Sequence, residues 1–215
     1  MADAPERYEL HHEDETHLET NPHLSRVWHR RGTQATLPAV GTNRRLTCFG
    51  SVEVLGRGRV EVLCPDQTSA SFRHYLEALD QRHAQTGKDV ILVLDNGSCH
   101  TSKTSREALV ARAGGLQPLW LARYSPELNK KEREWRYLKR DTCGHLARSL
   151  RAFADAILDG LGRLGGVRQD IVDRVPTWFL EGHRKPPSTR PVGRPKGANT
   201  SSQRSSHRRN LPAPT

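Results

Sequence analysis

Cysteine is scarce in this sequence, and its four copies are scattered: Cys48, Cys64, Cys99 and Cys143. No two of them form a C-x-x-C pair, which argues against a thiolate zinc site and against a disulfide framework. Long apolar runs are missing too. No stretch approaches the roughly 20 residues needed to span a bilayer, and the opening MADAPERYEL has no signal-like apolar core. Hydrophobic residues make up only 34% of the chain and aromatics 6%. That suffices for one core in 215 residues, while a mean hydropathy of −0.74 leaves part of the chain unpacked. These absences predict a soluble, cytoplasmic protein with reduced cysteines and no membrane contact.

Acidic residues are absent from one region. From His183 to Thr215 there are eight Lys or Arg and no Asp or Glu. The formal net charge of +10 is therefore concentrated there, and the remaining 26 basic and 24 acidic residues nearly balance. A basic excess calls for a polyanionic partner. The composition divides the chain into a folded domain over 1–182 and a disordered basic tail over 183–215, rich in Pro, Ser, Arg and Gly.

Within 1–182 the hydrophobic periodicity predicts a strand over 7–14, with Tyr8, Leu10 and His12 alternating with polar residues and Asp14 at its end. VWHRRGTQ looks like a strand entering a turn. RRLTCFGSVEV (44–54) and RVEVLCP (59–65) form a hairpin around Gly56 and Gly58. Phe72, Tyr75, Leu76 and Leu79 have helical spacing within 66–85, stopped by Gly87. DVILVLD (89–95) is a short continuous apolar run, the mark of a strand covered on both faces. Further helices are predicted over 102–114, 130–140 and 149–164, a strand over 116–122, and a helical 167–180 up to Pro176. Three antiparallel strands followed by αβαβα give an α/β fold, a mixed sheet flanked by helices in the ribonuclease H-like order.

Three acids attract attention. Asp95 ends the apolar strand in VLDNGSCH, where ligands gather in open α/β sheets; a simple Asp-Asn-Gly turn is the plainer reading. Glu132 shares a helical stripe with Leu128, Trp135 and Lys139, which would turn it toward the sheet. Asn129 with Glu132 also fits a capping box. Asp14 stands in the acidic run HHEDETH, which by itself reads as solvated. His11, His12, His17 and His23 match no helical zinc spacing. Together, however, the first and fourth strands of such a sheet are neighbours, so Asp14, Asp95 and Glu132 should converge. Three hard oxygen donors suit Mg²⁺ or Mn²⁺, and two such ions stabilise both the entering and the leaving oxygen of a phosphodiester.

LVLDNGSCH, followed by ARYSPELNKKEREWRYLK, closely resembles bacterial insertion-sequence transposases of the Tc/mariner superfamily. The 36 residues between Asp95 and Glu132 are similar to the short second spacing of that group. The resemblance covers about residues 7–145. It implies a DDE catalytic domain that cleaves and joins DNA with Mg²⁺ or Mn²⁺, two ions held by Asp14, Asp95 and Glu132. DNA, as element ends and target, is the implied partner, and the family acts as homo-oligomers. His100 takes a position the family often fills with His, where it would touch a phosphate or order the loop. Lys103, Arg123, Lys130, Arg133 and Arg136 flank the site as phosphate contacts or as a solvated face.

Three departures stand out. Lys130 and Lys131 replace a Pro and an apolar residue usual in the family, and an aromatic residue is common near Glu134, which predicts weaker packing of the helix bearing Glu132. The helix-turn-helix modules that precede such domains are absent here, as in a product of a split reading frame whose recognition half is separately encoded. The tail is not a family feature; its PVGRPKG, with Arg194 and Lys196, resembles an AT-hook but has Val192 where a basic flank belongs, so a loose phosphate-binding tail is the favoured reading. Two alternatives stay open at this level: an inactive remnant that only binds DNA, and another ribonuclease H-like nuclease.

Overall fold

The strand at the centre of the molecule is also its most charged. In the computed structural model, which describes residues 6–21, 28, 30–33, 36, 43–122, 129–142, 147, 149–165 and 171–182, β1 spans Tyr8–Glu19 with the sequence YELHHEDETHLE. It pairs antiparallel with β2 (Arg45–Glu53) on one side and parallel with β4 (Asp89–Leu94) on the other. β2 continues antiparallel into β3 (Arg59–Cys64), and β4 runs parallel to β5 (Leu116–Trp120). With a short β6 (Ile171–Asp173) on β3, the sheet has the order β5-β4-β1-β2-β3-β6. This is the ribonuclease H-like arrangement expected from the order of elements.

The helices cover both faces. α1 (Ser69–Thr86) starts at Thr68, whose side chain accepts from the Ser71 amide, and stops at Gly87, which adopts a left-handed φ of 66°. It packs with α2 (Ser98–Thr101) and α3 (Lys103–Val110) over one face. There Phe72, Tyr75, Leu76 and Leu79 meet Phe49, Val60, Val62, Leu92 and Leu94 in one apolar core. α4 (Lys131–Thr142) and α5 (Leu150–Arg163) cover the other face, where Trp135, Leu138, Phe153 and Ile157 close over Leu18, Leu46 and Cys48. α6 (Thr177–Leu180) is a single turn. No helix among the described residues is long and apolar enough to cross a membrane.

Several expectations need correction. β1 extends five residues beyond Asp14, to Glu19. Its buried side is Glu9, His11 and Glu13, while Tyr8, Leu10 and His12 are only partly covered. Glu9 receives both Nε and Nη2 of Arg82 at 2.9 Å, and His11 bridges it to Ser51. Glu9 and His11 can be buried because they are paired; the Glu13 carboxylate makes no hydrogen bond. The segment 167–180 is not helical up to Pro176: Ile171–Asp173 finds the open edge of β3, and the helical turn comes after the proline, which suits a helix start. The described part of VWHRRGTQ makes a turn at Arg31 and Gly32. Cys48, Cys64 and Cys99 are free and buried, as foreseen. Cys143, His23 and the basic tail lie outside the described residues.

Candidate active site

β1 and β4 run side by side with His12 opposite Val93. Two residues further along each strand stand Asp14, in the middle of β1, and Asp95, just past the end of β4, close enough for the charge of Asp95 to act on Asp14. Across the next ladder, Asp14 pairs with Gly50, and Gly50 with Glu61. A Cβ at Gly50 would lie 2.6 Å from the Trp135 ring and 2.9 Å from Lys131 Cε. Gly50 therefore lets the first turn of α4 lie against the sheet, beside Asp14.

Asn129 fastens that turn in place. Its Nδ2 donates to the Glu13 carbonyl at 2.7 Å, and its Oδ1 accepts from the Lys131 amide at 3.0 Å. One side chain thus links the start of α4 to the strand residue next to Asp14. The capping role foreseen for Asn129 is partly met, but Glu132 does not reach back to complete a box. Nor does Glu132 lie on the buried stripe. That stripe is Lys131, Trp135, Leu138 and Thr142, and Glu132 is exposed beside it.

Lys131 was expected to weaken α4, and the structure shows how it is accommodated. It is fully buried, with Nζ 2.6 Å from Glu61 Oε1, 3.0 Å from Glu134 Oε2 and 4.5 Å above the Trp135 ring. Arg59 completes the network, 2.5 Å from Glu134 and 3.3 Å from Glu61, and donates to the Leu164 carbonyl. Two cations and two anions replace apolar packing under the helix.

The electrostatics separate the acids. Burial pushes the Asp14 carboxyl up to about 7, and the charges of Glu15, Asp95 and Glu132 push the same way. Asp95 is held below the usual carboxylate range by its hydrogen bond from His100 and by the Gly97 amide. His100 is wholly buried, edge-on to Phe72 at 4.6 Å. Its Nδ1 donates to Asp95 Oδ1 at 2.8 Å, and Nε2 lies 3.2 Å from Glu13 and 3.0 Å from Glu15. Burial opposes its charge, but the Glu13 carboxylate and the bond to Asp95 outweigh that and push its pKa well up. Burial and Glu15 push Glu13 up to about 8. The phosphate contact foreseen for His100 is corrected by this burial: the ring orders the Asp95 loop.

Of the other basic candidates, Lys103, Lys130, Arg133 and Arg136 are exposed, and Lys103 lies 3.9 Å from Glu107. Arg123, Arg194 and Lys196 lie outside the described residues. Asn129, Glu61 and the Glu13–Glu15–His100 contacts were not foreseen as site features; Asn129 alone carried a sequence signal, as the last residue of YSPELN.

Asp14, Asp95 and Glu132 offer only carboxylate oxygens, and the charge crowding at Asp14 is relieved by a divalent cation. Among the described residues the trio of ligand atoms mutually within 4.8 Å is Glu15, Cys99 and His100. The carboxylates of Asp14, Asp95 and Glu132 are not all within that distance of one another, although the charges of Asp95 and Glu132 both act on Asp14.

A family model described as "DDE superfamily endonuclease" matches residues 9–153. No curated protein matches the chain. Among solved structures it is similar to the Mos1 transposase in a paired-end complex with the left transposon end (TM-score 0.55, 18% identity, 75% of this chain and 50% of that one). It is also similar to a Mos1 mariner paired-end complex with Mn (TM-score 0.55, 17% identity, 75% and 50%). A chain of the simian T-cell lymphotropic virus intasome matches with a TM-score of 0.50 at 16% identity, over 91% of this chain and 61% of that one. At these identities the likenesses show a shared fold, and this chain spans about half the length of the Mos1 chains.

Proposed function

The chain belongs to the DDE superfamily endonucleases, and from that premise we propose that it is the catalytic domain of a Tc/mariner-type DNA transposase. Asp14, Asp95 and Glu132 are the metal-holding acids in this reading. The observation that carries it is the nearness of Asp14, on β1, to Asp95, just past the end of the adjacent β4, with the start of α4 tied to β1 by Asn129.

Divalent ions, Mg²⁺ or Mn²⁺, would supply charge stabilisation for the entering and leaving oxygens of a DNA phosphodiester. The chain's own residues do the positioning. His100 fixes the Asp95 carboxylate, donating to Oδ1, which also accepts from the Gly97 amide. Asn129 sets the distance between β1 and the first turn of α4. Glu132, unburied, is free to turn toward a substrate. Exposed Lys130, Arg133 and Arg136 on the same helix are suited to contact DNA phosphates on either side of the scissile bond. Element ends and target DNA are the proposed substrates, in a homo-oligomeric assembly. The satisfied burial of Lys131 favours an active domain over an inactive remnant, because the helix bearing Glu132 is anchored, not loosened.

Asp95→Asn keeps the shape and the His100 contact while removing a charge. It should reduce Mg²⁺-dependent cleavage and joining of end-bearing DNA by at least a hundredfold, with DNA binding retained. Unchanged strand cleavage would overturn the assignment, and cleavage of RNA–DNA hybrids or junctions without joining would move it to another ribonuclease H-like nuclease.

A further inference from the structure

Behind the acidic opening, on the α1 face of the sheet, lies a second group of ligand-type atoms. The Cys99 thiol is 2.8 Å from Glu15 Oε1, and His100 Nε2 is 3.0 Å from the same oxygen. Glu13 closes a fourth side, 3.2 Å from Nε2. Glu13, Cys99 and His100 are buried, and Glu15 nearly so. Neither carboxylate oxygen of Glu13 makes a hydrogen bond, and the approach to His100 Nε2 is off the angle for one. Three orphaned polar atoms in one small volume are costly. A cation among them removes that cost.

We propose that Glu15, Cys99 and His100 form a three-ligand zinc site, with Glu13 beside it as a buried counter-charge. One thiolate, one imidazole and one carboxylate, with a water in the fourth place, suit tetrahedral Zn²⁺, whereas Mg²⁺ takes oxygen alone. The other ring nitrogen of His100 already donates to Asp95, the carboxylate–histidine–metal arrangement that fixes a ligand's tautomer and aim. Binding displaces the Nε2 and thiol protons to solvent and leaves imidazole and thiolate on the ion. The exposed Gln67 lies over the cluster, 3.2 Å from Glu15 Oε1 and 3.9 Å from Cys99 Sγ, and its swing opens a way in. Such an ion clamps β1 to α2 and so steadies the Asp95 loop from behind. The inference holds whether or not the acidic three cleave DNA.

Cobalt(II) titration of the full chain tests it. The expected result is a thiolate-to-cobalt charge-transfer band in the near ultraviolet, with tetrahedral bands in the visible, displaced by zinc and insensitive to Mg²⁺. Cys99→Ser should abolish the near-ultraviolet band, and Glu13→Gln should weaken cobalt binding at least tenfold. Asp95→Asn, which alters the partner of His100, should weaken it roughly 10–100-fold. Asp14→Asn should leave the band in place. Zinc should raise the thermal midpoint of the parent chain and of Asp14→Asn but not of Cys99→Ser, with far-ultraviolet circular dichroism reporting the fold of each. No band in the parent chain, a band that survives in folded Cys99→Ser, or one lost in folded Asp14→Asn would overturn the proposal.

Discussion

Asn129 is the residue on which the geometry of the acidic opening turns, because its two amide atoms serve two elements at once. Replacing it by Ala removes the donor to the Glu13 carbonyl and the acceptor for the Lys131 amide. The loss of such a bond costs about 1 kcal/mol, small beside the stability of a domain. The effect on rate should be larger, since small displacements of a metal-holding group are amplified in catalysis. Asn129→Ala is therefore expected to lower the urea midpoint slightly and single-turnover cleavage by at least tenfold, with DNA affinity unchanged. Asn129→Asp is the sharper probe. It keeps the acceptor for the Lys131 amide but sets a carboxylate oxygen against the Glu13 carbonyl, two acceptors facing each other. If Asn129→Asp cleaves as fast as the parent chain, the tie to β1 has no part in catalysis.

At the scale of elements, α4 is held down by charge where apolar packing was expected. A buried cation deprived of its partner is strongly destabilising, while a pair replaced together by apolar side chains is often neutral or better. Lys131→Met, which leaves Glu61 with the more distant Arg59 as its one cation, should cost about 3 kcal/mol, and Lys131→Met with Glu61→Leu should recover most of it. Denaturant curves of the two singles and the double give the coupling directly; a double that loses the sum of the singles would show that the pair contributes nothing as a pair. No reading of the sequence pointed to this network. Lys131 and Glu61 are 70 residues apart, and a lone lysine on a helix reads as solvated until its partner is known. The same reasoning separates what was legible elsewhere. DVILVLD could only be a covered strand, and the Gly87 stop and the order of elements were both local signals. β6 was missed because a three-residue strand exists only through the edge of β3 that receives it. The stripe containing Glu132 was misplaced by one residue because a buried lysine, the true member, has the wrong polarity for a pattern of apolar positions.

For the molecule as a whole, two apolar cores lie on opposite faces of a sheet whose middle strand carries buried charge, and this makes stability depend on pH. Glu9 shows the sign. Burial alone would raise its carboxyl, but hydrogen bonds from His11 and Arg82, with the charge of Arg82, bring it down to about 2 from an ordinary 4.5. A carboxyl depressed on folding contributes stability that is fully present above the unfolded value and disappears as pH falls through the folded one. The window is thus from about 4.5 down to about 2, and the contribution is of the order of 3 kcal/mol at neutral pH. The strand alternation hid this: with polar residues on both sides of β1, periodicity had no means to choose the buried one. Glu9→Gln separates this contribution from the general titration of surface acids. At pH 7 the variant should unfold at lower denaturant than the parent chain, with Arg82 left beside a neutral amide. As the pH is lowered the gap between the two should shrink, closing near pH 2, where the parent has lost its own charge. A gap that stays constant from pH 7 to pH 2 would mean that Glu9 holds β1 to α1 by shape alone and that its ionisation is unlinked to folding.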